Sequence, residues 1–244
     1  MAIGHEPLPL FPLRTVLLPG ARLRLRIFEP RYLDMVRDCA RRGTGFGVCA
    51  LLAGAEAGPG PVMPAAFGTE ARLVDFETTP DGLLGITVEG ARRFHVAGEV
   101  KVRDNGLLVG EVQWREAPPG VVPLRPEHGL LSLLLARILE QVGGLHDKAP
   151  AMLLDCAEWV GWRLAELLPL ELDARQALLQ EDDPHARMER LLALVSDLPR
   201  GDLELDGDDA PAGEPEGGDE EDGGEDDEDD DGPPGGAHGG HGRH

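Results

Sequence analysis

Two hydrophobic rhythms divide the chain. From Pro7 to about Pro119, apolar positions come in short or alternating runs broken by Gly, Pro and Asp, the pattern of strands joined by tight turns. Arg22-Leu23-Arg24-Leu25-Arg26-Ile27-Phe28 is the clearest run: a period of two sets Leu23, Leu25 and Ile27 on one face and the three arginines on the other. Thr15 to Leu18, Gly45 to Leu52, Thr69 to Glu77, Leu83 to Glu89, Arg93 to Val102 and Leu107 to Trp114 are further candidates. Asp81-Gly82 and Asp104-Asn105-Gly106 supply hairpin turns, because Asn and Gly tolerate positive φ. Roughly seven strands with local connections predict a closed or nearly closed antiparallel barrel. One helix interrupts them, with Pro30 in its first turn, Leu33, Val36 and Ala40 on one stripe and Gly43 as its stop. Gly54 to Pro64 predicts a loop overhanging the barrel.

After Pro118-Pro119 the period lengthens to that of a helix. Pro126 to Gly143 is apolar nearly all round and is expected to be the central, buried helix. Ala149 to Leu168 aligns Leu153, Ala157, Val160, Leu164 and Leu167, and stops at Pro169. Asp173-Ala174-Arg175-Gln176 reads as a capping box opening a short helix through Gln180. Asp183-Pro184 opens another, with Met188, Leu191, Leu192, Val195 and Leu198 inward. The expected fold class is α+β: an antiparallel β pseudo-barrel over 1–119 with one inserted helix, then a helical bundle over 120–199. Residues 200–244, rich in Gly, Asp, Glu and Pro, cannot offset chain entropy and are expected to be a disordered acidic tail.

Charge sharpens that division. The 244 residues carry 45 acids and 23 bases, a net charge of −22. Residues 201–244 hold 18 of the acids and a single base, Arg243, which leaves 27 acids against 22 bases in the body. No apolar run reaches the ~18 residues of a membrane span, and no basic start precedes the first apolar stretch, so a cytoplasmic protein without a membrane partner is expected. Cys39, Cys49 and Cys156 are odd in number and widely spaced, so they read as small buried hydrophobes, neither disulfide framework nor zinc site. Ser132 and Ser196 are the only serines, and Ser132, set among leucines, is expected to bond back to a carbonyl one turn earlier. There is no Gly-x-Ser-x-Gly elbow, phosphate loop, Gly-x-Gly-x-x-Gly or His-Glu-x-x-His. In the tail, Asp227, Asp229, Asp231 and Gly232 copy half a calcium loop, but His238 stands where a bidentate Glu is needed. His238, His241 and His244 on a glycine chain make no designed metal site, so no cofactor and no metal are expected.

Three blocks carry a resemblance. The first is Leu8-Pro9-Leu10-Phe11-Pro12-Leu13, Leu17-Leu18-Pro19-Gly20 and Leu25-Arg26-Ile27-Phe28-Glu29-Pro30-Arg31-Tyr32. The second is Phe67-Gly68-Thr69, Asp81-Gly82 and Val88-Glu89-Gly90-Ala91-Arg92-Arg93-Phe94. The third is Arg163-Leu164-Ala165-Glu166-Leu167-Leu168-Pro169 before Gln176-Ala177-Leu178-Leu179. Over about residues 7–198 the chain resembles the N-terminal substrate-binding domain of Lon proteases. The chain passes from its last helix into the acidic tail, so it resembles the stand-alone bacterial versions, without the ATPase and serine–lysine peptidase domains. Cereblon-type proteins pair such a domain with a cysteine-ligated zinc domain, which three scattered cysteines do not supply. The resemblance implies a pseudo-barrel related to the RNA-binding PUA fold and packed on a helical bundle. It implies no enzyme, but a module for protein quality control that binds unfolded or apolar peptide segments of other proteins.

Candidate binding residues follow. Glu29, Arg31 and Tyr32 stand at a strand-to-helix corner, Arg92 and Arg93 at a strand end, and Trp159 and Trp162 three apart near Met152, where they would suit a groove between barrel and helices. Each has a plainer structural reading: corner tie, exposed strand end, core packing. Arg22, Arg24 and Arg26 form a candidate anion-binding face, since like charges at period two repel unless answered. Acids on a neighbouring strand are the plain answer; RNA, with the tail competing for the same face, is the sharper one. The body's slight negative charge and ten aromatics without basic interleaving weigh against nucleic acid.

Overall fold

The structure, a computed structural model, describes residues 5–54, 56, 62–142 and 149–197. Strands β1 (Glu6–Leu13) and β2 (Arg22–Ile27) precede helix α1 (Pro30–Arg42); β3 (Phe46–Ala53), β4 (Met63–Thr78), β5 (Leu84–Val96), β6 (Lys101–Val102) and β7 (Leu108–Arg115) follow. The helical part holds α2 (Gly129–Val142), α3 (Ala157–Leu167), α4 (Leu172–Gln180) and α5 (Pro184–Asp197), with 3₁₀ turns at Pro126–His128 and Ala151–Asp155.

The strands pair in the order β2-β5-β4-β3-β1-β7-β6, and β5 also pairs with β7. Strands β5, β4, β3, β1 and β7 therefore close a ring, with β2 and β6 at its rim. The thirteen-residue β5 makes the closure: Leu84 to Glu89 take β2, and Arg93 to Val96 take β7. The expected antiparallel pairing holds except between β1 and β3, which run parallel from Leu10 opposite Gly47 to Leu13 opposite Ala50. Between them β2 and α1 supply the long crossover that a parallel pair needs.

Leu8, Leu10, Cys49, Phe94, Val96, Leu108 and Val112 form a small core of ring residues. Gly68 makes room for it: a Cβ there would stand 2.4 Å from the Val48 carbonyl oxygen and 2.6 Å from Phe94 Cζ. The larger core joins Tyr32, Met35 and Val36 of α1 to Val160 and Leu164 of α3 and Met188 and Leu191 of α5, so barrel and helices share one apolar interior.

Several expectations are corrected. Thr15 to Leu18 is not a strand; the strand is β1, which carries Pro7, Pro9 and Pro12. Its pairing with β7 covers Glu6 to Leu10 and its pairing with β3 covers Leu10 to Leu13, so no proline has to serve two neighbours. Met63 and Pro64 belong to β4 rather than to the preceding loop. Helix α2 is peripheral: Leu131, Leu135, Ile138 and Leu139 are buried, whereas Leu130 is 73% and Leu133 65% exposed. The central helix is α3, with Ala157, Val160, Leu164 and Ala165 wholly buried. No capping box forms at α4, whose N-cap is Glu171, because Gln176 donates across to the Phe67 carbonyl at 3.1 Å. Asp183 does cap α5, accepting from His185 N at 2.9 Å. Ser132 Oγ donates 2.7 Å to the Leu154 carbonyl, not to the preceding turn. Cys39 and Cys49 are buried, but Cys156 is half-buried. Gly143, Leu198, the acidic tail and its metal-like patterns lie outside the described residues.

Candidate functional site

The corner between β2 and α1 is tied by its own side chains. Arg31 pairs with Glu29 at 2.8 Å, donates to the Gly106 carbonyl at 3.1 Å and lies 4.7 Å from the Tyr32 ring centroid. Tyr32 is buried and stacks on Phe11 at 4.0 Å, and that burial raises its pKa. The arginine row is largely answered. Arg22 pairs with Glu89 at 3.1 Å and Arg26 with Asp81, whose carboxyl is held low chiefly by the Thr79 hydroxyl. Arg24 has no ion pair among the described residues.

Adjacent Arg92 and Arg93 part company. Arg92 lies 3.8 Å over the Trp114 ring and pairs with buried Glu70 at 3.0 Å. Arg93, expected at an exposed strand end or a recognition surface, is only 4% exposed. It donates to the Leu179 carbonyl at 2.9 Å and the Glu181 carbonyl at 3.1 Å, and pairs with Asp182 at 3.1 Å. It binds the barrel to the end of α4. The tryptophans also separate. Trp162 is buried beneath the Arg187 guanidinium, 3.4 Å from its ring centroid, and donates to Glu158 at 2.7 Å. Trp159 stays half-buried at the surface.

Trp159, Trp162 and Arg22 meet in one groove between barrel rim and α3. Pro19, Gly20, Glu89 and Arg163 complete its lining, and its volume is about 340 Å³. Arg163 is the floor: almost fully buried, it donates to the Gly20 carbonyl at 3.0 Å and to the Pro19 carbonyl, and pairs with Glu166 at 3.0 Å. Burial lowers the Arg163 pKa and raises that of Glu166, each partly offset by the other. Sequence reasoning missed Arg163; its signal was an arginine inside a leucine-and-alanine stretch, where a buried guanidinium must find acceptors.

A second groove, about 310 Å³, opens at the other end of β2, with Phe11, Leu13, Ile27 and Phe28 inside and Arg24, Arg26 and Glu29 around it. Phe28, also missed, is 56% exposed. Arg92 lies apart from both, in a polar groove between α1 and β7. Among the described residues no group of three His, Cys, Asp or Glu could hold a metal ion. No described helix is long and apolar enough to cross a membrane.

A five-strand ring bearing rim strands, packed on a helical bundle, is the architecture of a Lon N-terminal domain. The model of the ATP-dependent protease La (LON) substrate-binding domain matches residues 7–197, and the chain belongs to that family. Among solved structures, a Lon N-terminal domain protein from Xanthomonas campestris is 54% identical; the alignment covers 77% of this chain and 98% of that one, with a TM-score of 0.64. The N-terminal domain of Mycobacterium avium complex Lon protease shares the fold at 17% identity, covering 80% of this chain and 100% of that one, with a TM-score of 0.57. None of the curated proteins matches the chain.

Proposed function

We propose that this protein is a non-catalytic, cytoplasmic binding module that takes unfolded or apolar peptide segments of other proteins into the groove between barrel and α3, in the service of protein quality control. The observation that carries this reading is the half-buried Trp159 beside Pro19, over a wall locked by Arg163. An indole offers a large apolar contact with one polar handle, and a wall already fixed spares ordering entropy on binding. Membership in a substrate-binding family supports protein segments as the ligand class. RNA is the weaker reading, because Glu89 and Asp81 already occupy two of the three arginines.

The test is titration of the full chain with a labelled unfolded polypeptide at low and physiological salt, beside a labelled single-stranded RNA. Polypeptide affinity should change little with salt and fall roughly 30-fold in Trp159→Ala, the loss expected of an interface anchor worth about 2 kcal/mol. Unchanged affinity in that variant, or tight salt-tolerant RNA binding, would overturn the proposal. In parallel, the purified chain should neither cleave casein nor hydrolyse ATP.

A further inference from the structure

Strand β2 is outermost in its sheet and pairs only with β5. The ladder's phase is set where Gly90 N donates to the Ala21 carbonyl at 2.9 Å. Counting on from there in the antiparallel register, Leu23, Leu25 and Ile27 aim their backbone groups at β5, and Arg22, Arg24 and Arg26 aim theirs outward. Those outward amides and carbonyls have no hydrogen-bond partner among the described residues. Such an edge is a template for one more strand.

Its side chains state what that strand must carry. One face of β2 presents three arginines, and the other presents Leu23 and Leu25 continuing into the apolar groove of Phe11, Leu13, Ile27 and Phe28. The complement is a segment alternating acid with apolar residue. Asp202-Leu203-Glu204-Leu205 has that pattern, the same period with the opposite charge. It begins five residues beyond Asp197, where α5 ends. Leu203 and Leu205 are the only Leu, Ile or Val residues after position 200, so no other acidic stretch there brings apolar side chains for the leucine face. Directly opposed charges on neighbouring strands attract, and Arg24, at the centre of the row, has no ion pair among the described residues.

We propose that residues 202–205 dock as an added strand on the β2 edge of their own molecule, with Asp202 and Glu204 against the arginines and Leu203 and Leu205 on the leucine face. The self-strand then occupies the rim that joins the two grooves. A client reaching across that rim has to displace it. The docking itself does not depend on the peptide-binding reading; only this consequence for clients does.

Amide hydrogen exchange on the full chain, followed by NMR without any client, tests it. Arg22, Arg24 and Arg26 amides should be protected in the unaltered protein. Glu204→Arg and Arg24→Glu should each cut that protection about tenfold, and the two together should restore it, because the pair is re-formed with its signs exchanged. Leu23 and Leu25 amides, bonded to β5, report that the barrel is intact in every variant. Free exchange at the three arginines in the unaltered chain would overturn the proposal. So would failure of the double variant to regain protection, or protection that disappears on dilution, which would place the segment on a second copy. A failed peptide titration leaves these exchange rates untouched, so the two proposals fail separately.

Discussion

Arg187 on α5 is wholly buried, and its surroundings make Arg187→Met informative. Its guanidinium pairs with Glu158 at 3.1 Å, donates to the Glu181 carbonyl at 2.8 Å and stacks 3.4 Å from the Trp162 ring centroid. Burial brings its pKa down to about 10, with Glu158 opposing the shift, so it stays cationic at neutral pH. Methionine keeps much of the apolar stem and deletes the head. The two lost charge-assisted bonds, to Glu158 and to the Glu181 carbonyl, are worth about 1.5–3 kcal/mol each and the desolvated stacking up to about 2. Against this, several kcal/mol of desolvation penalty are recovered. The partner is not stranded, since Glu158 is 21% exposed and still accepts from Trp162. The net cost should therefore be about 2–3 kcal/mol, below the ~3–5 kcal/mol of an orphaned buried charge. Urea unfolding followed by tryptophan fluorescence reads it directly. Arg125→Met is the control: its 3.7 Å pair with Glu189 is exposed on both sides and should cost less than about 1 kcal/mol. A neutral or stabilising Arg187→Met would refute the reasoning, because an apolar side chain would then hold the helices as well as the charge does.

Further outcomes follow from the packing. Gly68→Ala should cost more than about 3 kcal/mol in the same assay, since its new Cβ meets a backbone carbonyl and the Phe94 ring at once. Leu135→Ala should cost about 2–5 kcal/mol and Leu133→Ala under about 0.5, if α2 buries only one face. A thiol reagent on the native chain at about pH 8 should label Cys156 and reach Cys49 only on unfolding, because burial pushes the Cys49 thiol up to about 12 and keeps it protonated. Arg163→Lys should lose about 2 kcal/mol and weaken peptide binding together, as one ammonium cannot serve the Pro19 and Gly20 carbonyls and Glu166 in one plane.

What was legible in the sequence is local. Strand β2 follows from alternation, α1 from Pro30 and Gly43, and two hairpins from turn chemistry, with Gly82 and Gly106 at φ 79° and 82°. Strand β5 read as two, Leu83 to Glu89 and Arg93 to Val102, because Gly90-Ala91-Arg92 interrupts its apolar pattern, and that interruption is where it passes from β2 to β7. Helix α2 misled for a related reason: leucines on every side do not say which side is covered. The separation of Trp159 from Trp162 depends on Arg187, and the burial of Arg93 depends on carbonyls 86 and 88 residues later. No periodicity within either element contains that information. The candidate groove was legible only in part: its lining includes Trp159 and Trp162, expected as peptide-binding, and Arg22, expected as anion-binding, while Arg163 drew no such expectation.

The buried arginines share a design that bears on recognition. Arg93, Arg163 and Arg187 each end on backbone carbonyls outside their own element: Arg93 and Arg163 on distant segments, at Leu179 and Glu181 and at Pro19 and Gly20, and Arg187 on Glu181, six residues earlier in the chain. Leu179 lies in the last turn of α4, where carbonyls lack helical partners and carry the negative end of the helix dipole, so a cation is stabilised there without a fully buried acid. Arginine suits the task because its planar fork of five donors can serve several acceptors at once, which a lysine ammonium cannot do in one plane. Only two of the chain's 23 basic side chains are lysines. These links fix α3 against the barrel rim from both sides, through Arg163 at the Pro19–Gly20 turn and through Arg93 and Arg187 around Trp162. The groove wall is thereby set before any ligand arrives, and binding to it need not be offset by the cost of ordering two halves of the chain.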